Sequence, residues 1–169
     1  MSKKPKKYLK EYHSKELGIN VIIQNVPVID IEGHEVYDID FDKVGEIFFA
    51  HLILKPHALT GAEVRFMRLF MGLTIEALAN CLHVTHPTVI SWEKCGEDPT
   101  KMTDTTEAML RIYAARHGAK DYELIQQILE KFFIGPKKDT TLKKSQAIIE
   151  LSPYGIKDLP KVKFTSLPR

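Results

Sequence analysis

Cysteine is scarce in this chain: two occur among 169 residues, Cys81 and Cys95. Both fall in one segment of helical pattern, so a disulfide framework is not expected, and the chain reads as one from a reducing compartment. Long apolar runs are missing as well. None approaches the roughly 18 residues of a membrane span, and the lysine-rich start has no apolar stretch behind it to form a secretory signal. The expected setting is cytoplasmic, with no membrane partner. Catalytic signatures are also lacking, with no phosphate-binding glycine loop, no HExxH and no glycine-rich strand-to-helix turn. The expectation is a non-enzymatic protein with no cofactor.

What is present is an uneven charge distribution. The net charge is only +2, too small to name a partner. The first ten residues, however, hold five lysines and no acid, and residues 28–46 hold seven acids and one lysine. The tail from Pro136 holds seven lysines and one arginine against three acids. Basic ends around an acidic segment point to two different partners, one of them polyanionic. The acid run lacks the glycine and carboxylate spacing of a calcium loop. It reads either as a solvated face or, over residues 28–49, as a docking surface for a basic protein such as an RNA-cleaving toxin.

Pattern and turn signals divide the chain into four parts. Residues 1–16 read as a mobile basic arm. Residues 17–57 read as a small α+β unit. In it, "INVIIQNVPVIDI" (19–31) gives one or two strands with a break near Asn25-Val26-Pro27, "EGH" (32–34) a turn, and "EVYDID" (35–40) a returning strand. A helix capped by Asp40 follows, with Val44, Ile47, Phe48 and His51 on one face and Lys55-Pro56 as its end. Residues 58–135 read as a helical domain. Thr60 and Glu63 have the spacing of a capping box, Leu59 and Val64 that of a hydrophobic staple, and Gly72 is a natural stop. Val64, Met67, Leu69 and Met71 supply the apolar positions of this first helix. Further helices are expected from the Thr74 cap, from the Thr85 cap to Gly96, in "DPTKMTDTTEAMLRIYAARHG" before Gly118, and in "DYELIQQILEKFF". Residues 136–169 read as a basic tail, with "AIIEL" (147–151) as a strand candidate and the remainder disordered or partner-dependent.

The sharpest signal lies in residues 74–92. Leu78 and Leu82 are one helical turn apart, and Ala79 is small where two helices approach. Val84 follows a turn, and Val89 and Trp92 lie three apart. His83 stands where that turn needs a left-handed residue, a conformation histidine tolerates. The segment resembles the Xre-type (lambda-repressor-like) helix-turn-helix family. "YHSKELGINVIIQN", "KPHALTGAEVRFMRLFMGLT" and "TVISWEK" are similar, in order, to motifs of the MqsA/YgiT antitoxin class, over roughly residues 12–117. The resemblance implies an α+β, mostly α chain, with a small N-terminal α+β unit before a five-helix lambda-repressor-like domain and a basic tail. It further implies a DNA-binding homodimer that represses its own operon and neutralises a toxin through the N-terminal region.

Two departures stand out. Family members often carry cysteine pairs in the N-terminal domain. Here Leu17 stands where a cysteine would suit "KELG", and none precedes Cys81, which excludes thiolate ligation of zinc there. His13, His34, His51 and His57 lack metal-ligand spacing, so no metal is expected. The second departure concerns DNA. The family commonly has glutamine where this chain has Ile75, and polar or basic residues on the recognition helix. The residues available here for double-stranded DNA in the major groove are Thr85, His86, Pro87, Thr88, Ile90, Ser91 and Lys94. The strong base-reading pairs use Arg, Gln or Asn, and none is on this helix; Ile90 offers contact with a thymine methyl. Residues 60–95 hold three basic and three acidic side chains, so phosphate neutralisation falls to the arm and tail. The rival expectation is a protein-interaction adaptor that keeps the fold without reading DNA.

Overall fold

In the computed structural model, which describes residues 7–118, 145–150 and 162–166, the chain is mixed α+β. The elements are β1 (Lys7–Ser14), β2 (Val21–Ile31), β3 (His34–Tyr37), α1 (Phe41–Leu54), α2 (Gly61–Phe70), α3 (Ile75–Cys81), α4 (His86–Glu93), α5 (Asp104–Gly118), β4 (Ser145–Glu150) and β5 (Val162–Ser166). They fall into two compact units. One runs to Phe48 and includes β4 and β5; the other begins at Phe49. The boundary therefore passes through α1 rather than after residue 57. The helix expected at 121–133 lies outside the described residues.

The first unit is a five-stranded sheet organised on β2. The expected basic arm is not an arm from Lys7 onward. Residues Lys7–Ser14 pair antiparallel with β2 from Lys7↔Val28 to Ser14↔Val21, because β2 is rich in β-branched residues and offers a full-length edge. The break expected near Asn25 is also absent. β2 continues through it, and Asn25 takes φ 58. That single left-handed residue shifts the alternation: Val21 and Ile23 are buried before it, Val26 and Val28 after it. It also marks a change of neighbour. On the edge away from β1, β2 pairs parallel with β4 over Val21–Gln24 and antiparallel with β3 over Val28–Ile31.

Pro27 is tolerated inside β2 for a geometric reason. Its carbonyl accepts from Asp38 N–H at 2.9 Å, so its missing N–H would point to that same side, at the end of β3, rather than into the β1 ladder. Glu32 and Gly33 close the β2–β3 hairpin with φ 54 and 88, the two positive values of a type I′ turn. β3 ends at Tyr37 and all four of its residues are exposed. The strand expected at 147–151 is β4, shifted by one or two residues; β5 was not expected, although Val162 and Phe164 alternate with Lys163 and Thr165. Buried Val21, Ile23 and Ile149 contribute to the core of this unit.

Asp40 does cap α1: its carboxylate accepts from Lys43 N–H at 3.0 Å. The buried face differs from the expected one. Val44, Phe48, Phe49, Leu52 and Ile53 are buried, whereas Ile47 and His51 are half-buried. The apolar residues recur at 44, 48, 52 and 49, 53, two adjacent rows of a helix.

In the second unit the Thr60–Glu63 capping box forms. Glu63 has a further role, accepting the Lys55 ammonium on both oxygens at 2.7 and 2.8 Å, a pair almost wholly buried. Arg111 is fully buried on α5. One of its terminal nitrogens donates to the carbonyls of Leu52, Ile53 and Lys55, the other to that of His57. It thus caps the C-terminus of α1, whose last carbonyls lack helical partners. Burial lowers the Arg111 pKa, and the Glu107 carboxylate, at 2.6 Å, opposes the shift. Leu69, expected in the core of α2, is 56% exposed, and Phe66 is buried in its place. Positions 64, 67 and 71 follow the 3–4 spacing of one face and 69 does not.

Candidate nucleic-acid interface

α4 is placed by its two ends and by the turn before it. α3 starts at Thr74, whose side chain accepts from Ala77 N–H at 3.1 Å. It ends in a Schellman motif: Val84 N–H donates to Ala79 O and His83 N–H to Asn80 O. His83 takes φ 53, the left-handed position the spacing requires. The end of α2 repeats the motif with Gly72 at φ 67 and Leu73 N–H on Arg68 O. Behind the turn, Leu78, Ala79, Leu82, Val89 and Trp92 are all buried, Trp92 at 7% exposure.

α4 opens at Thr85, with Pro87 in its first turn, where a missing N–H loses nothing. Thr85 does not cap through its side chain; its hydroxyl bonds the Thr88 hydroxyl at 2.7 Å. The C-terminal end of α4 is held by α2. A Cβ on Gly61 would sit against the carbonyl of Trp92, 2.7 Å from Gly96 N and 2.9 Å from Glu93 O. Ala62 N–H donates to Gly96 O at 2.7 Å. Arg68 and Glu93 complete the clamp, and Arg68 also donates to Leu73 O at 2.9 Å. Sequence reasoning missed this ion pair. A residue on each of two helices carries no mark of the other, although both charges lie beside apolar positions of their helices.

The seven candidate residues are brought together on the outside of this segment. Thr85, His86, Pro87, Ser91 and Lys94 are exposed, Thr88 and Ile90 half-buried. Pro87, Ile90, Ser91 and Lys94 follow i, i+3, i+4, i+7, one stripe opposite Val89 and Trp92. The hydroxyls on it are partly used. Ser91 Oγ donates to Thr88 O at 2.8 Å, which leaves its lone pairs as acceptors. The first turn holds no acid, so the partial positive charge of the helix start is uncompensated. The two cysteines stay free and half-buried. Cys95 Sγ donates to Ser91 O at 3.4 Å, and a hydrogen bond with Cys81, more than burial, raises the pKa of Tyr113. Among the described residues no cluster of three His, Cys, Asp or Glu side chains could hold a metal ion, and no helix is long and apolar enough to cross a membrane. Compared with known proteins, the chain matches no family model, no curated protein and no solved structure.

Proposed function

We propose that this chain is a non-enzymatic DNA-binding transcriptional regulator of the antitoxin type. Residues 74–92 act as a helix-turn-helix, and α4 enters the major groove. The observation that carries the reading is the division of α4. Its inner residues Val89 and Trp92 are buried, and the helix is clamped at its C-terminal end by Arg68 and Gly61, while four of the candidate contacts, Pro87, Ile90, Ser91 and Lys94, share its outer stripe. A helix that presents side chains to a groove needs a fixed pose and an open face. The acidic surface between Asp30 and Glu46 is the proposed dock for a basic partner protein, and the protein acts as a homodimer on a two-fold operator. Binding of the purified protein to the duplex upstream of its own coding sequence, in gel shifts at two salt concentrations, tests this. A shift at low salt that outcompetes scrambled DNA is expected; no shift at either salt refutes it.

A second reading, a protein-interaction adaptor, is favoured by the exposure of Leu69 and Phe70 at the end of α2. Phe70 stacks on Phe49 at 4.4 Å and lies 5.7 Å from Phe66, so its exposed edge belongs to a firm aromatic platform. This reading replaces the first if the gel shift fails.

A further inference from the structure

We propose that α4 selects its site through thymine 5-methyl groups rather than through the polar edges of guanine or adenine; this rests on the DNA-binding reading above. The inference follows from what the outer stripe can still offer. Guanine is read by Arg or Lys and adenine by a side-chain amide; positions 85–94 hold no arginine and no amide, and the one lysine, Lys94, stands at the C-cap, past the last helical residue. The hydroxyls are committed in part. Ser91 spends its proton on Thr88 O, and Thr85 and Thr88 share one bond between them. His86 and Lys94 sit at opposite ends of the helix. Between them the stripe carries the exposed Pro87 ring and the half-buried Ile90 as its apolar groups, with the Ser91 hydroxyl beside them. Thymine is the one base that presents an apolar group in the major groove.

A methyl group removed from water against this stripe corresponds to about a fourfold gain in affinity. The effect is additive over several thymines, so a T-rich half-site is preferred without any bidentate contact. Ser91 adds an acceptor for a neighbouring adenine or cytosine amine, which suits A·T steps that place a thymine and an adenine side by side.

The test is the same upstream duplex prepared in two forms, one with thymine and one with uracil throughout, compared by competition binding. Uracil lacks only the methyl. The expected result is a loss of about fourfold per contacted thymine, and a thymine-to-uracil ratio that falls toward one in the exposed variant Pro87→Ser and in Ile90→Ala. Equal binding of the two duplexes overturns the methyl reading and leaves the DNA-binding reading standing. A preference for thymine that neither variant alters assigns the effect to duplex deformability and also overturns the proposal. Absence of binding to both duplexes at low salt removes the regulator reading itself.

Discussion

The guanidinium of Arg68 on α2 holds the carboxylate of Glu93 on α4 by two hydrogen bonds, 2.6 and 3.0 Å long, with about a tenth of either side chain exposed. Both partners are planar and the fit is bidentate. The pair therefore fixes the rotation of α4 as well as its distance. Glu93→Ala is expected to cost roughly 3–5 kcal/mol, because a buried guanidinium is left without its counter-charge and keeps only the Leu73 carbonyl. The double variant Arg68→Met, Glu93→Leu should lose far less. Urea unfolding of the single and double variants measures both; strictly additive costs would show that the pair is not coupled.

Gly61 is required by close approach, not by backbone angle. A methyl group there meets three backbone atoms at the end of α4, and backbone cannot rotate aside as a side chain does. Gly61→Ala should destabilise by at least about 1–3 kcal/mol, the usual cost of overpacking. Trp92→Ala, on the buried face of α4, should cost about 3–5 kcal/mol through the cavity it leaves. Thermal unfolding checks both, and a neutral Gly61→Ala would refute the tight crossing.

His83 pays a conformational penalty that glycine would not. Left-handed backbone costs an L-residue roughly 1–2 kcal/mol, while glycine's extra unfolded freedom costs about 0.4–1 kcal/mol. His83→Gly should therefore raise stability slightly, by up to about 1 kcal/mol. His83→Val should lower it by about 1 kcal/mol, since a β-branched residue resists φ 53 most. The order Gly above His above Val in melting temperature is the expected outcome.

If backbone contacts dominate DNA affinity, binding should fall steeply with salt. Removing residues 1–6 deletes Lys3, Lys4 and Lys6 and stops short of β1 at Lys7. Each lysine that meets a phosphate contributes about 0.9 to the slope of log affinity against log salt. The truncated protein should show a shallower slope and weaker binding to operator and scrambled duplexes alike. An unchanged slope would show that these lysines do not touch phosphate.

Folding should not depend on zinc. No cysteine precedes residue 81, so the sheet unit has no thiolate to hold the metal. Incubation with a strong chelator should leave the circular dichroism spectrum and melting temperature unchanged. Loss of structure together with release of stoichiometric zinc would contradict this.

The sequence by itself determined what depends on neighbours along the chain. The capping box Thr60–Glu63, the Asp40 and Thr74 caps, the left-handed His83 and Gly72, and the buried Leu78, Val89 and Trp92 are all written in spacings of three to five residues. A turn of helix or a cap samples only that range. Tertiary structure decided what depends on distant partners. Lys7–Ser14 is basic and polar in sequence, and it becomes a strand because β2 offers it an edge. β4 pairs with β2 in parallel across more than a hundred residues, a register that no local pattern encodes. Leu69 falls off the face that Val64, Met67 and Met71 define, which the spacing alone could have told, whereas the burial of Phe66 beside that face depends on what packs against it. Lys55, Arg68 and Arg111 look like solvated surface charges in the sequence. Each is buried because folding brings a carboxylate or a row of helix-end carbonyls to it, and only that compensation makes the burial of charge tolerable.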